Sequence, residues 1–255
     1  MRVTVLGCGT SGGVPRIGNV WGDCDPAEPR NRRRRSSILV QSETTSLVVD
    51  TTPDFREQCL DADLQHLDAV LYSHEHSDHV NGIDDLRGFA LLQRQRIPIH
   101  GDDRTIGLLR RRFGYIFESQ LGYPSICEPH PIDGPFSIGD IPVQPFRQQH
   151  GAIETLGFRF GGLAYSTDLN DLPEESFDVL QDLDVWIVDA LRPQPHPTHT
   201  HLARTLEWVE RLRPRRAILT HMTWDMDYRT LCAELPSGVE PAHDGLVIEV
   251  PVTAA

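Results

Sequence analysis

Residues 67–79, Leu-Asp-Ala-Val-Leu-Tyr-Ser-His-Glu-His-Ser-Asp-His, set the tightest constraint on what this chain can fold into. The apolar run at 67–72 has the length of a buried strand, and the polar cluster begins where it ends. His74 and His76, two apart in extended backbone, point the same way and can hold one cation together. Asp78 and His79 lie past the turn, at the start of a helix, and can reach a second. Imidazoles and a carboxylate at this spacing are the ligand chemistry of a divalent metal site.

The pattern His-x-His-x-Asp-His after an apolar strand resembles the signature of the metallo-β-lactamase-fold hydrolases, and the resemblance extends over nearly the whole chain. It implies an α/β fold, the four-layer αββα sandwich, here as a single domain over residues 1–255. It also implies later ligands, and three histidines or aspartates stand where strand-like runs end: His150, Asp168 and His221. By this resemblance His74, His76 and His150 hold one metal, Asp78, His79 and His221 the other, and Asp168 bridges them. Asp50, which closes the run 46–49, matches the aspartate that supports the metal-binding histidines from behind.

Within that group the chain resembles the phosphodiesterases that open phosphoribosyl 1,2-cyclic phosphate in the carbon-phosphorus lyase pathway. Thr198-His199-Thr200-His201-Leu202 is similar to their His-x-Asp-Leu element, so His199 is the candidate acid beside the metals, with Asp78 the second catalytic candidate. His201 stands at the aspartate position of that element and is a candidate for supporting or substrate-side duty. Ala242-His243-Asp244-Gly245 matches a C-terminal element of the same branch and nominates His243 for a similar role. Those relatives build a structural zinc from several cysteines after a Gly-rich turn. Here 7–15 is Gly-rich, but only Cys24 remains in Trp21-Gly22-Asp23-Cys24, so no structural zinc is expected.

The implied reaction is hydrolysis of a small, cyclic phosphate ester or cyclic nucleotide. Two divalent ions share a water, lower its pKa toward about 7 and present a bridging hydroxide to phosphorus, while His199 protonates the leaving oxygen or binds the phosphate. Five imidazoles and two carboxylates without a thiolate suit zinc first and manganese second. A tRNA 3′-processing nuclease, a glyoxalase-type thioesterase and a non-catalytic nucleotide-binding protein are the alternatives on the same ligands. A formal charge of -13, from 24 basic and 37 acidic residues, opposes a long nucleic acid as partner.

The five cysteines are scattered and odd in number, which suits reduced thiols in a cytoplasmic protein. No apolar run approaches the roughly 20 residues of a membrane span, and residues 1–7 read as a strand instead of a signal peptide. The run Arg30-Asn31-Arg32-Arg33-Arg34-Arg35 is either a solvated loop or a set of cations that pair with nearby acids and steer phosphate. Residues 105–123 read as an arginine- and aromatic-rich helix, suited either to a base-binding wall or to packing against the sheet or a second copy in a homodimer. Helices are also expected at 55–64, 81–95 and 202–211, the second burying Ile83, Leu86, Phe89, Ala90 and Leu92.

Overall fold

A computed structural model describes residues 1–119 and 122–251. Among these, the β-branched and leucine-rich runs pair into two seven-stranded sheets. The first runs Val247–Glu249, Arg2–Gly7, Ser37–Gln41, Ser46–Val49, Ala69–Leu71, Ile97–Gly101, Cys127–Pro131. The second runs Val239–Pro241, Arg216–Thr220, Val185–Asp189, Leu163–Ser166, Ile153–Phe160, Ile141–His150, Phe136–Ile138. Each sheet is antiparallel on one side and parallel on the other. Parallel strands need crossover helices, which cover the outer faces.

Alternation along each strand sorts the core into two layers. Val3, Val5, Ile38, Val40, Val49 and Leu71 face the second sheet and meet Phe146, Phe158, Leu163, Ile187 and Leu219. Their neighbours Leu39, Val48, Val70 and Ile99 point outward, under Phe55, Leu86, Phe89, Ile106 and Leu109 of the covering helices. On the far side Phe177, Trp208, Leu212 and Leu231 close the second sheet. Helix, sheet, sheet and helix therefore stack in the expected order, and no helix among the described residues is long and apolar enough to cross a membrane.

The expected helix at 81–95 is divided and shorter: a 3-10 turn at Ile83–Asp85, then Leu86–Gln93, with a separate turn of helix before it at Ser77–Val80. Ile83, Leu86 and Phe89 are buried, but Leu92 is 76% exposed. Six residues past Leu86 is about 240° round the helix, which turns Leu92 away from the sheet. The helix expected over 105–123 is two, Asp103–Arg112 and Gly114–Phe117, and residues 120 and 121 lie outside the described residues.

The basic run is not a solvated loop either. Arg30 pairs with Glu28 at 2.6 Å, Arg35 with Asp54 at 2.8 Å, and Arg34 with Asp61. Arg33 is buried, donating to the carbonyls of Thr223 at 3.1 Å and Met226 at 2.6 Å. Cys24, buried beside it, lies 3.9 Å from the same guanidinium.

Candidate active site

The parallel strands of both sheets run the same way into one edge of the sandwich, and their C-terminal ends carry the polar residues. Asp50 follows Ser46–Val49, the cluster 74–79 follows Ala69–Leu71, Asp168 follows Leu163–Ser166, and His221 follows Arg216–Thr220. His150 and Asp189 are the last residues of their own strands. Asp50, Asp168 and His221 all take the left-handed conformation, with φ of 67°, 53° and 56°. Aspartate tolerates that conformation, as asparagine and glycine do, so among these three the backbone cost falls on His221.

Three groups of donors form there, each with ligand atoms within 4.8 Å of one another: His74, His76, His150 and Asp168; Asp78, His79, Asp168 and His221; and a smaller one of Asp189, His199 and His221 that shares His221 with the second. His74 Nε2 lies 2.9 Å from His76 Nδ1. The Oδ1 of Asp168 is 3.9 Å from both His74 Nε2 and His150 Nε2. Its Oδ2 is 3.0 Å from His79 Nε2 and 3.3 Å from His221 Nε2, with Asp78 Oδ2 3.3 Å from His79 Nε2. One carboxylate thus addresses the first two groups, an oxygen to each.

The backs of the imidazoles are fixed. His79 Nδ1 meets Asp50 at 2.7 Å, His150 Nδ1 meets the Thr198 carbonyl at 2.6 Å, and His74 Nδ1 meets Ser73 Oγ at 3.0 Å. Asp50 itself is fully buried and accepts from Ser73 N at 2.8 Å and Ser73 Oγ at 2.7 Å. A ring bonded at Nδ1 turns Nε2 toward the centre, as metal-ligating histidines do.

The donor set fits divalent cations. His221 Nδ1 is buried without a hydrogen bond among the described residues, and His79 Nε2 and His221 Nε2 have only the carboxylates of Asp168 and Asp78 close by, at angles that make no good hydrogen bond. Each such atom costs about 1–3 kcal/mol when left alone, and a cation placed among converging lone pairs and carboxylates removes that cost. The electrostatics agree. Burial lowers His79 and His221, but Asp168 and Asp78 outweigh it, holding His79 well above its usual range and His221 at about 9. Burial raises Asp168, yet His221 and His79 pull it well below the ordinary carboxylate range. His74 and His150 move the other way, lowered chiefly by burial.

His199 comes in from the proline-rich loop at 192–201. Its Nδ1 meets Asp189 Oδ2 at 2.9 Å, its Nε2 lies 3.7 Å from Asp168 Oδ1, and its ring stacks on His221 at 4.8 Å. Asp189 has no role in the sequence reading: an aspartate closing an apolar strand was the available signal, the same one that marked Asp50. His201 sits elsewhere, at the N-terminus of helix Leu202–Leu212, where its carbonyl accepts from Thr205 N. His243 bonds the carbonyl of Asp244 at 3.0 Å and faces Tyr228. Neither joins a donor group among the described residues.

A family model, Beta-lactamase superfamily domain, matches residues 45–222. The chain is 32% identical over 254 residues to an octanoyltransferase of Porphyromonas gingivalis (strain ATCC BAA-308 / W83), covering 96% of this chain and 51% of that protein. It is 26% identical over 137 residues to a ribonuclease Z of Bradyrhizobium sp. (strain ORS 278), covering 52% of this chain and 46% of that one. The chain thus spans about half the length of the curated relatives it matches. A crystal structure of a new diphosphatase from the PhnP family superposes with a TM-score of 0.90 at 36% identity, covering 97% of each chain. With the family model reaching into both sheets and that diphosphatase following 97% of the chain, the protein belongs to the β-lactamase superfamily, with the metallo-β-lactamase fold and close to the PhnP family.

Proposed function

We propose that the chain is a metal-dependent phosphodiesterase that hydrolyses a small phosphate ester, such as a cyclic phosphate, at the junction built on Asp168. The observation that carries this reading is the position of Asp168, whose two oxygens face separate donor groups while His199 stands on the open side. His74, His76 and His150 would hold one cation, Asp78, His79 and His221 another, and Asp168 both. Zinc suits the donors first and manganese second. Two divalent cations, when bound, supply an activated water and offset the charge of the phosphate oxygens.

The chain's own residues supply the rest. The side chain of Asp78 is 16% exposed against 3% for Asp168, so Asp78 is the carboxylate an incoming water meets. His199 has Nδ1 tied to Asp189, which leaves Nε2 to hand a proton to the leaving oxygen as the P–O bond breaks. The diphosphatase relative supports phosphorus as the electrophile. The octanoyltransferase relative is about twice as long as this chain. The ribonuclease Z match favours a nuclease as second reading, against which stands the -13 charge of the chain.

Hydrolysis of bis-p-nitrophenyl phosphate by zinc- or manganese-loaded protein tests the reading. Turnover is expected to vanish with a chelator and in Asp168→Ala, with elemental analysis falling from two metals per chain in the wild type. A fully loaded wild-type protein that binds but never cleaves phosphodiesters would replace the enzyme with a nucleotide-binding protein. Cleavage of a tRNA precursor but of no small diester would favour the nuclease.

A further inference from the structure

Trp21, Trp224, Arg16 and Arg32 form a wall on the loop that follows His221, and we infer that this wall binds a nucleobase, making the substrate a nucleotide and not a bare sugar phosphate. The inference rests on the phosphoesterase reading above for what happens at phosphorus, and on separate observations for the wall.

The wall is built against the loops that carry His221 and His199. Trp224 stands three residues after His221. Between them, Met222 N donates to the Cys8 carbonyl at 2.9 Å, and Thr10 N donates to the Met222 carbonyl at 3.2 Å. Thr223 N donates to the carbonyl of Leu191, where the loop leading to His199 begins, at 2.9 Å. From the other side Asp23 N donates to the Trp224 carbonyl at 3.0 Å.

The wall is also held in shape. Gly22, at φ +60°, lets the chain pass where a Cβ would lie 2.7 Å from Trp224 Cγ. Arg16 and Val20 exchange backbone hydrogen bonds of 2.9 and 3.2 Å, closing a small hairpin, and Trp21 Nε1 donates to Asn19 at 3.2 Å. Buried Arg33 clamps the Thr223 and Met226 carbonyls from below.

Its chemistry is that of a stacking platform. The Arg16 guanidinium lies 3.7 Å from the Trp224 ring centre, and that of Arg32 lies 5.1 Å from Trp21. Arg30, Arg34 and Arg35 each have a carboxylate partner, whereas Arg16 and Arg32 have none among the described residues, in a chain with 37 acidic side chains. Both rings are half-buried, while the core tryptophans, Trp186 and Trp208, are 0% and 3% exposed. Aromatic and guanidinium planes stack nucleobases, and unneutralised arginines beside them suit the attached phosphate. Placed against the His221 and His199 loops, the wall takes the leaving-group side of the substrate.

Calorimetric titration of zinc-loaded protein with AMP and with ribose 5-phosphate tests this. AMP is expected to bind at least about tenfold tighter, and Trp21→Ala and Arg16→Ala to weaken AMP about fivefold to a hundredfold while ribose 5-phosphate affinity holds. Trp224→Phe, which keeps a ring against Gly22, is expected to retain the preference. Equal binding of the two ligands, or wild-type AMP affinity in both alanine variants, would overturn the wall. A short single-stranded RNA that displaces AMP more effectively than AMP itself would overturn the assignment to a small nucleotide. Wild-type turnover of bis-p-nitrophenyl phosphate reads the phosphoesterase step independently: turnover without AMP preference removes the wall alone, and AMP preference without turnover removes the enzyme reading alone.

Discussion

Asp50→Asn isolates one proton at the centre of the site. Asp50 accepts from Ser73 N at Oδ1, and from Ser73 Oγ and His79 Nδ1 at Oδ2. An asparagine keeps its oxygen toward the Ser73 amide, because a backbone N–H can only donate, and so places its NH2 at the Oδ2 position. The serine hydroxyl can rotate and accept. His79 Nδ1–H cannot, and donor faces donor unless the ring moves its proton to Nε2. That is the atom aimed at Asp168 from 3.0 Å and the one a cation needs bare. Backbone strain stays out of the comparison, since the φ of 67° at this position is one asparagine tolerates as readily as aspartate. Losing such a supporting partner weakens metal binding about tenfold to a hundredfold, which corresponds to roughly 1.4–2.8 kcal/mol. Competition against a chromogenic zinc chelator, with circular dichroism to confirm the fold, measures it, and nitrogen-15 shifts of His79 report the tautomer. An Asp50→Asn protein that holds zinc at wild-type affinity would refute the orienting role of Asp50.

Metal-free stability carries a pH signature. His221 is lowered by burial but raised by Asp168 and Asp78 to about 9, above its ordinary 6.5, so the stability it contributes is fully present below about 6.5 and lost as pH rises through about 9. Cation binding within that window displaces the proton, and calorimetry at about pH 7.5 in buffers of different protonation enthalpy is expected to show proton release; identical heats in all buffers would contradict it. Asp189→Asn is expected to cut turnover about 10²- to 10⁴-fold with metal content unchanged, because His199 loses the carboxylate at 2.9 Å that fixes its ring; unchanged kcat would remove His199 from proton transfer. Gly82→Ala puts a Cβ 2.1 Å from the Thr52 carbonyl and 2.7 Å from Phe55 Cβ, just past the ligand loop, and is expected to cost about 1–3 kcal/mol or more in denaturant unfolding. An unaltered midpoint would mean that the 82–83 turn relaxes freely.

How much of this was legible in the sequence follows the range of the interactions involved. The run 67–79 announces its strand, its turn and its pair of histidines because spacing within one short segment fixes which side chains point together. Hairpins such as Ser37–Gln41 with Ser46–Val49 are equally local, set by apolar runs joined by five or fewer residues. The meeting of His74 with His150, Asp168 and His221 depends instead on sheet register across the whole chain, and in the sequence it was available only through resemblance to a known family.

Asp189 shows why the remainder was hidden. Its role exists only because the loop at 192–201 folds His199 back onto it, a contact that no spacing encodes. Arg33 reads as one more cation in a basic run, yet the fold buries it against two carbonyls nearly two hundred residues away, while its neighbours pair at the surface. Leu92 reads as core and is exposed, because it lies about 240° round its helix from buried Leu86, on the face turned from the sheet. Local periodicity therefore determined the strands, the turns and the chemistry of the ligand loop. Only the pairing of distant strand ends decided which oxygen faces which nitrogen, because the burial that makes those contacts strong exists in neither half of the chain alone.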